Sequence, residues 1–149
     1  MQLSSSIQID ASRQAIWDTI TDWEGLADRI SGIQSVEILE QPENTLIGFK
    51  WKETRVMFGK EATETMWITE ASAPNYYEVG AASHGSEYET TFRISGDSQP
   101  YELEMHFKGT PQTTGAKIMN TLLGWMFKGA TKKALHQDLE DIKAHLEKS

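Results

Sequence analysis

Two glutamates and an arginine, Glu53, Arg55 and Glu64, stand in a part of the chain that is otherwise rich in apolar side chains. If the segment around Trp51 forms a strand, Glu53 and Arg55 share one of its faces at a separation of about 7 Å. The alternation that turns Trp51 inward turns both charges inward as well. Because a buried charge is unfavourable unless it is paired, these side chains would pair with one another or with a polar group of a ligand. The alternative is that the strand twists at its end and leaves Glu53 and Arg55 at a solvated rim.

The chemistry open to these groups is recognition of a small molecule or proton transfer to it. Arg55 suits a ligand carboxylate, and a network with Glu53 and Glu64 would anchor a carbonyl, a hydroxyl or a carboxylate. Tyr77 and Tyr88 lie on inward faces of later predicted strands and would add two hydroxyls. Buried tyrosines are, however, often core residues with one satisfied hydroxyl. The two glutamates and two tyrosines are the only candidates for acid–base catalysis, and we assign no catalytic residue.

Other catalytic and metal chemistries lack a supporting residue pattern. The chain has no cysteine, which excludes disulfides, thiolate nucleophiles and thiolate-bound zinc. His136 and His145 are too far apart on a predicted helix to share a metal at i, i+4 spacing, and all four histidines are expected at the surface. No phosphate-binding loop, nucleophile elbow or zinc-protease motif occurs. We therefore predict no metal site and no cofactor.

Length and composition indicate one soluble domain spanning residues 1–149, with 38% hydrophobic and 24% charged residues. The net charge of −8 makes nucleic acid an unlikely partner, because phosphate binding depends on clustered positive charge. The sequence has neither a basic and apolar leader nor a run of about 20 apolar residues that would span a membrane. We expect a cytoplasmic monomer or homodimer without stable membrane insertion.

Hydrophobic periodicity predicts the elements that position the candidate residues. Leu3 to Ile9 alternate as a half-buried strand, and Asp10 is suited to cap the helix that follows. A second short helix is predicted at about Leu26 to Ile30. From there to Thr110, six strands are separated by turn signals, and connections this short join antiparallel neighbours.

A long helix is predicted at about Thr114 to Glu147, with Thr110 and Pro111 suited to its cap and first helical position. Its second half is amphipathic, with Asp138 counted among the polar residues away from the apolar stripe. The stripe comprises Leu135, Leu139, Ile142 and Leu146. Its first half is apolar on all sides, so it either is covered on several sides or borders a cavity. Glycines in this half predict a break or kink.

The order strand, two short helices, six strands and long helix resembles the START-like, or Bet v 1-like, superfamily. Several degenerate motifs resemble its polyketide cyclase/dehydrase and lipid-transport branch in order and spacing. These motifs are Ala15–Asp18 with Thr21–Asp22, Gly32–Ile38, Gly48–Arg55, Ile68–Glu70 with Ala73–Pro74, and Ala134–Glu147. The resemblance implies an α+β helix-grip fold, in which a seven-stranded antiparallel sheet wraps around the C-terminal helix and leaves a hydrophobic cavity.

Binding of a hydrophobic small molecule, such as a lipid, a quinone or a polyketide-like compound, is the leading hypothesis. The alternatives are an aromatase/cyclase-type enzyme acting on a polyketide-like substrate, and a protein-interaction module that uses the apolar half of the helix. The expected geometry agrees with binding, since a bent sheet facing one helix encloses more space than aliphatic side chains fill. The predicted apolar lining is Trp51, Met66, Tyr77, Tyr88, Phe92, Met105, Leu122 and Met126, with Glu53, Arg55 and Glu64 as its polar patch.

Overall fold

The computed structural model describes residues 2–57, 59–83, 86–111 and 114–148, without the side chains of residues 57, 60, 83, 86, 111 and 114–128. These residues form seven strands and three helices, with one 3-10 turn at Trp23–Gly25. The connections are short except for residues 41–49 between β2 and β3. In chain order the elements are β1 (Gln2–Ile9), α1 (Arg13–Ile20), α2 (Leu26–Arg29), β2 (Ile33–Glu40), β3 (Lys50–Met57), β4 (Lys60–Ser72), β5 (Tyr76–Ser83), β6 (Ser86–Ser95), β7 (Tyr101–Pro111) and α3 (Thr114–Glu147).

All seven strands form one antiparallel sheet in the order β1-β7-β6-β5-β4-β3-β2. β2 to β7 follow one another as neighbours, as the short connections predict, and β1 joins the far edge beside β7. The turn between β3 and β4 contains Gly59 at φ 75°, a conformation in which glycine has no steric cost. The predicted α+β helix-grip architecture is therefore confirmed, including the two short helices after the first strand.

Two predicted helix boundaries are wrong. Ser12, not Asp10, caps α1, and its hydroxyl accepts the backbone N–H of Ala15 at 3.1 Å. The carboxylate of Asp10 instead accepts a hydrogen bond from the side chain of Gln99 at 3.0 Å. Pro111 is the last residue of β7 rather than the first of a helix. Pro111 lies opposite Ser86 in the β6–β7 pairing, so the chain remains in the sheet through this residue.

The predicted limits of α3, Thr114 to Glu147, are confirmed, and its helical backbone runs without the predicted break. The predicted apolar stripe is buried at Leu135, Leu139 and Ile142. These side chains belong to the main hydrophobic core, which also contains Ile9 from β1 and Leu103 from β7. The second half of α3 therefore covers one face of the sheet, called the inner face below.

Aromatic residues join the 3-10 turn to the inner face. The Trp23 ring stacks on Phe49 with centroids 4.4 Å apart and lies 5.2 Å from Trp51. Trp23 also lies 5.7 Å from Tyr77, whose ring stacks on Phe92 at 5.0 Å. This cluster fixes the position of β3, the strand that carries the candidate polar residues.

Candidate ligand-binding site

Strand register brings most of the predicted apolar lining to the inner face. Residues directly opposite in an antiparallel pair share a face. Trp51 pairs with Met66, Met66 with Ala81, and Ala81 with Tyr88. A second row pairs Tyr77 with Phe92 and Phe92 with Met105. The side chains of Leu122 and Met126 lie outside the described residues, so the cavity and the ligand contacts remain predictions.

β3 has the predicted inward register. Trp51 is 3% exposed and Glu53 is 5% exposed, so both side chains point into the molecule. The Arg55 side chain is 22% exposed and turns back towards the same interior. The alternative of a fully solvated rim for Glu53 is therefore wrong, because the alternation of β3 continues through this position without a bulge in its pairing with β4.

A charged network connects β3 to α3. Arg55 Nε donates to Glu53 Oε2 at 2.7 Å. Its Nη2 donates to Asp138 Oδ2 at 2.6 Å and its Nη1 to Asp138 Oδ1 at 3.2 Å, which makes a bidentate ion pair. Glu53 Oε1 accepts a further bond from Trp51 Nε1 at 3.3 Å. One guanidinium is therefore held between two buried carboxylates.

The pKa values of Arg55 and Asp138 are both raised, which favours the charged form of the arginine and the neutral form of the aspartate. Burial by itself would lower the pKa of Arg55, but the carboxylates of Asp138 and Glu53 raise it above its ordinary value. Burial raises the pKa of Asp138, and Arg55 offsets this in part while Glu53 adds to it. Arg55 is thus held in its charged form, and Asp138 is the carboxylate that protonates more readily than usual.

Asp138 was missed as a site residue, although the sequence contains a signal for it. It lies three residues after Leu135 and four before Ile142, so it falls on the buried stripe of α3 and not on the polar side to which it was assigned. An acid on a buried stripe requires a partner, and the inward Arg55 was the available one.

Glu64 does not join the network as predicted. It lies directly opposite Glu53 in the β3–β4 register and is half-buried. Within the described part of the chain its side chain has neither a hydrogen bond nor an ion pair, and Asp138 takes the place predicted for it beside Arg55. The Arg55 side chain extends towards α3 rather than across the β3–β4 hairpin, so it meets Asp138 and not Glu64.

The two candidate tyrosines differ. The Tyr77 hydroxyl donates to the Ile20 carbonyl at 2.8 Å, at the end of α1, and burial raises the pKa of Tyr77. Tyr77 is therefore a buried core residue whose hydroxyl has a hydrogen-bond partner, which is the alternative given for it in the sequence analysis. Tyr88 is half-buried and stacks on Phe107 with centroids 5.6 Å apart. The Tyr88 ring can therefore border the predicted cavity, whereas the Tyr77 hydroxyl is bound to the end of α1.

The second half of α3 has further polar links to the sheet and its connections. His136 Nδ1 lies 3.0 Å from the Ser5 hydroxyl, and its Nε2 lies 3.2 Å from Glu140. Asp141 accepts bonds from both the backbone and the hydroxyl of Ser31. These contacts hold the helix against β1 and the α2–β2 turn, and with them the position of Asp138.

Within the described residues, histidine, aspartate and glutamate do not gather in a group of three that could hold a metal ion. Among the helices in the described part of the chain, none combines the length and apolar character needed to cross a membrane.

Comparison with known proteins places this geometry in context. Residues 1–147 match the family model described as polyketide cyclase / dehydrase and lipid transport. No curated protein sequence matches the chain. Among solved structures, a START superfamily protein from Mycobacterium smegmatis superposes with a TM-score of 0.83 at 13% identity, covering 99% of this chain and 97% of that one.

Two other solved structures show the same fold. A protein from Thermus thermophilus has a TM-score of 0.82 at 14% identity, covering 98% of this chain and 97% of its own. The Zhui aromatase/cyclase from a Streptomyces species has a TM-score of 0.80 at 14% identity, covering 99% and 94%. Identities this low establish a shared fold and leave the ligand to be inferred from the residues of this chain.

Proposed function

Because the chain belongs to the polyketide cyclase/dehydrase and lipid transport family, we propose that it binds an apolar small molecule between the inner face of the sheet and α3. The observation that carries the proposal is the buried network of Glu53, Arg55 and Asp138 beside apolar side chains that are only half-buried. Ligand pockets typically combine an apolar wall with a few fixed polar groups that orient the ligand.

The apolar wall would be formed where burial of the inner face is incomplete. Four large side chains on this face are half-buried, although their neighbours Ile68, Val79 and Leu103 are buried. The half-buried side chains are Met66, Tyr88, Phe92 and Phe107. A fully packed core would cover such residues, whereas a cavity leaves them accessible to a ligand. Methionine and the aromatic rings suit a wall that adapts to an irregular apolar shape.

Binding can be tested with a neutral apolar fluorophore, N-phenyl-1-naphthylamine, together with native mass spectrometry of the purified protein. We expect fluorescence enhancement with saturation at one site, and a retained ligand of low mass. The variant Met66→Trp adds volume at the predicted wall and should reduce fluorophore affinity at least about tenfold, which corresponds to 1.4 kcal/mol.

Leu39→Trp is the matched control, because Leu39 is an exposed apolar residue of β2. It should leave fluorophore affinity unchanged. Equal affinities of the wild-type protein and both variants would contradict binding at the inner face, provided that all three melt cooperatively.

An aromatase/cyclase-type activity is the second candidate, and one observation favours it. Asp138 is a buried acid with a raised pKa, and it contacts the cation of Arg55. In its protonated form Asp138 can donate a proton to a substrate carbonyl, and the cation of Arg55 then stabilises the negative charge left on the Asp138 carboxylate. The similarity to the Zhui aromatase/cyclase supports the same idea at the level of the fold alone.

Turnover distinguishes the two candidates. A linear poly-β-ketone thioester incubated with the protein should be cyclised faster than in its absence if the enzyme hypothesis holds, and Asp138→Asn should abolish that acceleration. A binding protein would instead protect the substrate in a stoichiometric complex without multiple turnovers.

A further inference from the structure

The polar end of the proposed site, defined as Glu53, Arg55, Glu64 and Asp138, has an unbalanced charge. Glu53 and Asp138 both contact Arg55, and Glu64 lies opposite Glu53 without a partner among the described residues. Among the side chains that the structure describes, Arg55 is therefore the one cation that contacts this group of three carboxyl groups. When all are ionised, their sum is negative.

Arg55 has little capacity left for an acidic ligand. Three of its N–H groups already donate to protein carboxylates, and both Nη atoms engage Asp138 in a bidentate pair. The α2–β2 turn approaches from another side, since a side-chain carbon at Gly32 would lie 3.4 Å from Arg55 Nη1. A ligand carboxylate would have to displace Asp138 or lie beside it, and either arrangement leaves a buried negative charge unpaired.

Glu53 has unused acceptor capacity. A carboxylate offers about four lone-pair positions. The Glu53 side chain is 6% exposed, yet it accepts only two hydrogen bonds from the described side chains. The bond to Oε1 comes from Trp51 at 3.3 Å, which is long for a charge-assisted hydrogen bond. A buried carboxylate oxygen in this state is completed by a hydrogen-bond donor from a ligand or from water.

On the basis of the proposed function, we propose that Glu53 Oε1 accepts a hydrogen bond from the polar group of the ligand. The site then selects alcohols and amines and rejects carboxylic acids. This reverses the role predicted from the sequence, in which Arg55 was the natural partner of an acid. The difference arises from Asp138, which occupies both Nη atoms of Arg55 and adds a further negative charge to the group.

The test compares three ligands that share one apolar chain: dodecan-1-ol, dodecylamine and dodecanoate. Each displaces N-phenyl-1-naphthylamine from the wild-type protein at pH 7.5 and below its micellar concentration. We expect dodecanoate to bind at least about tenfold more weakly than dodecan-1-ol, and dodecylamine at least as tightly as the alcohol. Equal affinities, or tighter binding of the acid, would overturn the inference while leaving the proposed binding function intact.

Glu53→Gln should reduce the discrimination against dodecanoate, because it removes the negative charge and supplies an amide donor. Glu61→Gln on β4 is the matched control, since Glu61 is exposed and its removal makes the same change in net charge. Unaltered discrimination in a folded Glu53→Gln protein also overturns the inference. Should Glu53→Gln fail to melt cooperatively, Asp138→Asn tests the same charge balance. Failure of N-phenyl-1-naphthylamine and all three ligands to bind would reject the proposed function itself.

Discussion

Arg55 holds two buried carboxylates in place, so its removal is expected to destabilise the fold. Arg55→Met leaves Glu53 and Asp138 without a cation in the interior, and breaking a buried ion pair in this way costs about 3–5 kcal/mol. Urea unfolding should show a correspondingly lower free energy of unfolding. Lys52→Met, at an exposed position of the same strand, serves as the control and should change stability by less than about 0.5 kcal/mol.

Asp138→Asn, unlike Arg55→Met, should not destabilise the fold. The amide keeps an acceptor for Arg55 while the remaining charges, Arg55 and Glu53, balance each other. Because burial raises the pKa of Asp138, its ionised form is the one that the folded protein disfavours. We expect a free energy of unfolding at neutral pH equal to or above that of the wild-type protein. A loss comparable to that of Arg55→Met would contradict this description of the network.

Tyr77 allows the core interpretation to be tested separately from binding. Tyr77→Phe removes the donor to the Ile20 carbonyl and leaves a buried acceptor unsatisfied, which costs about 1–3 kcal/mol. Fluorophore affinity should stay unchanged, because the lost hydroxyl faces α1. Tyr76→Phe, which removes an exposed hydroxyl bonded to Glu70, should have a smaller effect on thermal unfolding. A loss of affinity in Tyr77→Phe would place this hydroxyl in the ligand site.

The sequence predicts the inward direction of Trp51 correctly, because a period of two is a geometric property of any strand. For Glu53 the sequence leaves the inward face and a solvated rim as alternatives, and the structure shows the inward face. It does not predict the partner of Arg55. Glu64 is nearer in the chain and lies across one hairpin, whereas Asp138 lies 83 residues away on another element. Which of them meets the guanidinium depends on how α3 packs over the sheet, and that packing is a tertiary property.

At the scale of elements, the outer face of the sheet carries a pH-dependent group. Glu78 on β5 lies opposite Glu70 on β4, and hydrogen bonds with Glu89 and Glu70 raise the pKa of Glu78 to about 7. A carboxyl group with a raised pKa binds more protons in the folded state, so stability should fall as pH rises from about 4.5 to about 7.

Glu78→Gln should flatten this part of the stability–pH curve, as measured by urea unfolding between these pH values. Glu87→Gln, at an exposed position of β6, should leave the slope unchanged. An unchanged slope in Glu78→Gln would show that the three carboxyl groups do not share a proton in solution.

The strands, α1 and α3 were predictable because their periodicity is continuous over eight or more residues, whereas their ends depend on single contacts. Ser12 caps α1 in place of Asp10 because the helix begins at Arg13, three residues after Asp10. Pro111 stays in β7 because it still lies opposite Ser86 of β6. Such decisions depend on neighbouring elements and leave no local pattern.

At the scale of the whole molecule, a ligand that binds in the interior of the folded protein must raise the free energy of unfolding. A ligand that binds only the folded state at 100 times its dissociation constant stabilises it by about 2.7 kcal/mol. For a domain of about 150 residues, 1 kcal/mol shifts the melting temperature by roughly 2–4 °C, so dodecan-1-ol at this concentration should raise it by about 5–11 °C. A tenfold loss of affinity in Met66→Trp should remove about half of this shift or more, and Leu39→Trp should keep it. A ligand adsorbed to the surface would give the same small shift in all three proteins, and that result would separate surface adsorption from binding between the sheet and α3.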